Sequence, residues 1–442
     1  MTSPLRLARG GHLLRAAGLA ILLLLAIASS AGAHAVLLSS TPAWEAVVGA
    51  APRAVTLRYD EDVVPRYARV TVVAPAGKDV AGSPQVTGSV VTVPVRTDRA
   101  GSYTVRWRMV ASADGHVTEG AFSFGLRAKP LPPAPVSGVG VPVAPEVLAW
   151  LQFLGVVLAG GALTFRALVL APAARALGDR SDREAGTAIW VAVIGAAVAL
   201  HAGLLGFLIG AYPIVGGGIV NVVNTQIIPI RVGTHLGQAF TLTTFAWLGV
   251  LALLVGAWVT PRRREPLLAC AGVTSLGIAF GISWASHAAS RGTVALIADY
   301  VHLVAGALWA GGVVALVILL GVGRPLSRSD REALVLASLL RFSRLAVMMV
   351  ATLGIAGVYL AVRELPALSA LLTSRYGVTL LLKTVVFAGA LALGGFHRRI
   401  AVPRIAAGAP AVTIRRTLAV EASVLLGALA LAAVLSQTAP PR

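Results

Sequence analysis

The chain has 442 residues, of which 57% are hydrophobic and only 12% charged, with a mean hydropathy of +0.82. Soluble domains carry roughly 25% charged residues, so most of this chain is suited to lipid and a soluble cytosolic enzyme is excluded. Its 37 Lys and Arg outweigh 18 Asp and Glu, a net charge of +19, and the single cysteine, Cys270, excludes an intrachain disulfide, a Cys-based zinc site and an iron–sulfur cluster.

Residues 1–33 have the pattern of a secretory signal. Arg6, Arg9 and Arg15 precede a short apolar run, and Ala31-Gly32-Ala33 offers a small-residue cleavage site. Cleavage after Ala33 makes His34 the first mature residue, so that its amine and its ring can chelate one metal. From about 50 to 127 the pattern alternates with period two between turn residues, which predicts short strands near 54–59, 68–74, 90–95, 102–110 and 120–126. In the run 102–110, Tyr103, Val105, Trp107 and Met109 are expected to face the core. The expected domain, 34–128, is a small antiparallel sandwich or barrel.

Between the last two strands lies Ser112-Ala113-Asp114-Gly115-His116. An Asp-Gly pair is in itself a common hairpin turn. Asp114 and His116, however, are two residues apart, so an extended backbone points both to the same side. With His34 they offer three nitrogens and one oxygen. A tetragonal N/O set without sulfur suits copper(II).

The start of the mature chain, HAVLLSSTPA (34–43), and the string YTVRWRMVASADGHVTEGAFSFGL (103–126) resemble the two hallmarks of the CopC family of exported copper-binding proteins. The resemblance implies a copper(II) site at His34, Asp114 and His116, within an Ig-like Greek-key β-fold. It also implies that a second, Met-rich copper(I) site is missing, since the domain has only Met109.

Residues 129–145 hold six prolines in 17 positions and read as a semi-rigid spacer. In the expected membrane domain, 146–442, eight apolar segments follow, at about 146–170, 187–210, 238–259, 267–286, 294–320, 342–361, 377–396 and 417–436, each long enough to span a bilayer. With the β domain outside, the inner loops hold 17 arginines and the outer loops four. That bias follows the positive-inside pattern. The basic charge is then topological, and nucleic acid is not needed as a partner.

Ionisable residues within spans are functional candidates by default. His201, His235, His287, Asp299 and His302 all fall on the predicted outer side, and form a candidate metal path. Asp299 and His302, three apart, share a helix face with Gly306 and Trp309. The competing reading is that Asp299 bonds His302 and the histidines pack helix contacts. Lys383 and Glu421 are buried-charge candidates, read as paired structural contacts, and His397 beside Arg398 reads as interfacial. The strings SHAAS (286–290), ADYVHLVAGALWAGGVVAL (298–316), RFSRLAV (341–347), RYGVTLLLKT (375–384) and the closing helix with Glu421 resemble the CopD family. That resemblance implies copper import or homeostasis at the cell membrane.

The expected architecture is thus an exported all-β domain followed by an α-helical membrane domain of about eight transmembrane helices. Its expected partners are copper and the lipid bilayer, and a homo-oligomer is left open. A copper buffer or sensor without transport is the main alternative. A b-type cytochrome, with paired helix histidines on haem, and a copper monooxygenase rank below it. No catalytic triad, carboxylate pair or GxxxxGK[ST] loop stands out, so no enzyme activity is assigned.

Overall fold

The computed structural model describes residues 37–96, 98–112, 117–133, 144–178, 183–215, 235–321 and 328–438. The chain divides into two compact units, a β unit and a helical unit, each taken here by itself.

The β unit is built from two four-stranded sheets. Its strands are β1 (Leu37–Thr41), β2 (Val47–Val48), β3 (Ala54–Tyr59), β4 (Arg69–Val73), β5 (Gln85–Thr87), β6 (Val90–Pro94), β7 (Gly101–Val110) and β8 (Val117–Leu126). One sheet runs β1-β3-β6-β5 and the other β2-β8-β7-β4. All pairs are antiparallel except the two-residue β2, which runs parallel to β8. Period-two alternation places Val55, Leu57 and Tyr59 of β3, Val91 and Val93 of β6, and Tyr103, Val105 and Met109 of β7 in one core. Tyr103 stacks on Phe124 with ring centroids 5.4 Å apart, a contact worth about 0.5–1.5 kcal/mol beyond burial. Trp107 is only half-buried: it packs edge-on to Tyr59 at 5.6 Å. Gly120 stands opposite it in register, where a Cβ would meet the indole ring at 2.5 Å.

Among the described residues, eight helices of the second unit are long and apolar enough to cross a membrane. We label them α1 (Pro145–Ala176), α2 (Arg183–Val215), α3 (His235–Val259), α4 (Arg264–Trp284), α5 (Thr293–Gly321), α6 (Arg328–Glu364), α7 (Arg375–Ala406) and α8 (Arg415–Ser436). The end at which α1 begins is called the near end, the other the far end. Several helices outrun the apolar windows that predict them: α6 begins 14 residues before 342 and α7 continues ten residues past 396. Arginine ends a hydropathy window without ending a helix, because its long stem and high helix propensity let it continue the backbone at the interface.

Lipid supplies no hydrophobic drive between helices, so close approach depends on small residues. A Cβ on Gly311 of α5 would lie 2.5 Å from the Val157 carbonyl and 2.7 Å from Gly161 Cα of α1. A Cβ on Gly155 of α1 would likewise collide with Ala199 of α2. Three single π-helical turns interrupt the α geometry, Val157–Gly161 and Arg166–Leu170 in α1 and His397–Ala401 in α7. The first carries the glycine contact with α5 and the last opens on a histidine.

Candidate metal-handling sites

In the β unit, the proposed ligands His34, Asp114 and His116 lie outside the described residues, and the described residues that adjoin them are Leu37, Ser112 and Val117. Leu37 pairs with Tyr59 at the end of β3. Four residues on, Val63 bridges Ala111, and Ser112 N donates to Asp62 O at 2.8 Å. Leu37 and Ser112 therefore sit at one end of the sandwich, held there by the same segment, 59–63. The Tyr59 hydroxyl is buried at this end with no hydrogen-bond partner among the described residues, and burial pushes its ionisation upward.

At the near end of the helical unit, Asp299 and His302 lie on the first turns of α5. Ser286, which caps the short helical turn His287–Ser290, has its Oγ 3.1 Å from Asp299 Oδ2 and 2.7 Å from Ser283 O. His302 Nδ1 lies 3.1 Å from the Leu353 carbonyl of α6. A carbonyl only accepts, so Nδ1 carries the proton and Nε2 keeps the lone pair, the arrangement a metal-binding imidazole needs. Each of Asp299 and His302 thus has a partner on another segment. The alternative in which they bond each other does not describe this geometry. Gly357 of α6 makes room for the ring: a Cβ there would stand 3.1 Å from His302 Cε1. Lys383, half-buried on α7, is within electrostatic reach of both Asp299 and His302.

His201 is exposed on α2, and its Nδ1 donates to Ala197 O at 2.7 Å. His235 opens α3 and His287 opens the helical turn before α5. Among the described residues, no three His, Cys, Asp or Glu side chains gather around a point that could hold a metal ion.

Several charged residues matter here that the sequence reading missed. Glu364 closes α6 and is buried, ion-paired with Arg291 at 3.3 Å. Arg291 Nη1 donates to Arg363 O at 3.0 Å and Arg363 Nη2 to Arg291 O at 3.4 Å. Glu146, at the start of α1, is 2% exposed, and one of its carboxylate oxygens has no hydrogen-bond partner. In sequence it reads as an acidic residue favouring a helix N-terminus, and nothing local tells that it is buried. The far end holds a further pair. His397 is buried, not interfacial, and its Nδ1 lies 2.7 Å from Glu421 Oε2. Glu421 thus has a partner 24 residues away in sequence.

Residues 37–127 match the CopC domain and residues 336–435 match copper resistance protein D. Protein YobA of Escherichia coli (strain K12) is 33% identical over 114 residues, covering 25% of this chain and 91% of YobA. Copper resistance protein C of Pseudomonas syringae pv. tomato is 33% identical over 111 residues, covering 23% of this chain and 86% of that protein. Copper transport protein CutJ of Bacillus subtilis (strain 168) is 28% identical over 167 residues, covering 37% of this chain and 29% of CutJ.

A copper-resistance sandwich joined to a bundle of eight apolar helices defines a multi-pass membrane protein with a copper-related function. The chain belongs to the CopC–CopD fusion family. The CopD match begins within α6, so Asp299 and His302 precede it while Lys383, His397 and Glu421 lie inside it.

Proposed function

We propose that this protein is a copper importer of the cell membrane. After signal cleavage behind Ala33, its β domain lies outside and captures copper(II) with His34, Asp114 and His116. The membrane domain then carries copper inward past Asp299 and His302. The observation that carries the capture step is the convergence of Leu37 and Ser112 on the segment 59–63. Three residues before Leu37 stands His34, and two and four residues after Ser112 stand Asp114 and His116. An amine, two imidazoles and a carboxylate from these positions would make an N/O set suited to copper(II). The absence of a closed three-ligand cage among the described residues of the helical unit fits passage better than storage, since a carried ion must be released. The orientation rests on the 17-to-4 arginine bias across the loops.

Two measurements test the reading. His34→Ala and His116→Ala should each weaken copper(II) binding by the mature protein by more than about tenfold, since even the outer partners of a metal ligand are worth that much. Unchanged affinity in both removes the exported site. Cellular copper, measured by mass spectrometry at matched expression, should rise with the wild type and fall back with His302→Ala. Equal copper in cells with and without the protein would make it a buffer rather than an importer.

A further inference from the structure

We infer that His397 and Glu421 form a proton-binding site through which proton movement is coupled to copper passage. This rests on the transport reading and adds the coupling ion to it.

The pair sits in the far half of the bundle, His397 6% and Glu421 2% exposed. His397 opens the π-helical turn of α7, and Glu421 lies on α8 one helical turn inward of Thr417. Thr417 Oγ1 donates to Ile414 O at 2.9 Å. Its one hydrogen is thereby used, so at 2.8 Å it accepts from His397 Nε2–H. The other ring nitrogen, Nδ1, faces Glu421 Oε2 at 2.7 Å. That gap holds one proton, on the ring or on the carboxyl, and the pair is neutral either way. Losing that proton leaves one net negative charge buried between α7 and α8, so proton occupancy and the packing of these two helices bear on each other.

The setting suits a coupling site. Thr417 is half-buried and leads from the pair to the far surface. On the inward side, a Cβ at Gly394 would stand 3.4 Å from Glu421 Oε1 and 3.9 Å from the Trp309 ring. Both are ordinary contact distances, and they place Glu421 and Trp309 beside the same point of α7. Trp309 is on the helix face of His302, seven residues or about 10 Å away along α5, and α5 carries no charged residue between His302 and its far end. Single π-helical turns of the kind that His397 opens are frequent at functional sites.

The charged groups on the surrounding elements are mostly arginines: Arg398 and Arg399 in the same turn, both exposed, Arg404 just after it, and Arg415 and Arg416 at the start of α8. On α6, which packs against 402–406, stand Arg341 and Arg344, with Asp330, Arg331 and Glu332 near its start. The elements in contact with the pair bring no second histidine to it. In transport terms, the pair takes up one proton from the far side and releases it to the near side as each copper ion crosses inward.

The test uses the full chain in vesicles holding a pH-sensitive dye, with copper added outside and both copper uptake and lumenal pH followed. For wild type, copper entry should be accompanied by a lumenal pH change that a protonophore collapses. Glu421→Gln, which keeps a hydrogen bond to His397 but cannot exchange a proton, should reduce the pH change per copper at least tenfold. His397→Gln should do the same. A pair with a merely structural role would slow uptake without altering the pH change per copper, and that result overturns the inference. So does wild-type copper entry with no pH change, which also decides the matter if a variant fails to fold. No copper entry in wild type would instead bring down the transport reading and this inference with it.

Discussion

Gly311 is a residue whose lack of a side chain the helix packing needs. A methyl group there would meet backbone on both sides, the Val157 carbonyl at 2.5 Å and Gly161 Cα at 2.7 Å, and backbone cannot turn aside as a flexible side chain does. Gly311→Ala is therefore expected to part α1 from α5 at a cost of about 1–3 kcal/mol, the usual range for overpacking. Gly306→Ala is the control, because its nearest neighbour would be Leu353 Cδ2 at 3.6 Å, an ordinary contact. Thermal unfolding in detergent should give a lower midpoint for the first variant and little change for the second, and equal midpoints would contradict the packing described. Legibility at this scale was uneven for a physical reason. Asp299 and His302 stood out because three-residue spacing on a helix is local. Their partners Ser286 and Leu353 did not, because those contacts are made by other segments. His397 looked interfacial beside Arg398, and no spacing rule relates it to a carboxylate 24 residues on.

At the scale of elements, strands were legible wherever the alternation lasted five residues or more. The expected run 54–59 is β3, and 102–110 is β7 within a residue. β2 and β5, two and three residues long, are too short to show a period, and sheet partners hold them in place. The helical spans were legible in number, and their ends were not, for the arginine reason given above. The near-end clasp between Arg291 and the end of α6 is an element-scale feature with a measurable consequence. Glu364 is 6% exposed, so removing its partner strands a charge. Because the Arg291 side chain is 38% exposed, water takes up part of the loss, and Arg291→Ala should cost about 1–3 kcal/mol rather than the 3–5 of a fully buried pair. Adding Glu364→Gln to Arg291→Ala should restore part of that stability, since the stranded charge is gone. A double-mutant cycle on thermal unfolding reads this directly. Additive losses would mean that the two residues do not act as a pair.

At the scale of the molecule, the proline-rich stretch joins a sandwich whose core is closed within its own two sheets to a bundle with its own buried core. The sequence showed this division through composition alone, because alternating strands, prolines and apolar runs are different chemistries. A self-contained core implies that residues 34–133, produced alone, fold as a β unit. Under the proposed function, they should also bind copper(II) as tightly as the full chain does. The tether then adds nothing to capture and acts on delivery. The expected spacer 129–145 could reach at most about 50 Å at 3.1 Å per residue, which would set an effective concentration in the millimolar range for delivery. Co-expressing the β unit and the helical unit as separate exported and membrane chains should therefore lower cellular copper uptake about tenfold or more when external copper is scarce. Raising external copper should close the gap, because free copper then reaches the bundle without a carrier. Equal uptake by split and joined chains at low copper would mean that the β unit does not hand its copper to the bundle it is attached to.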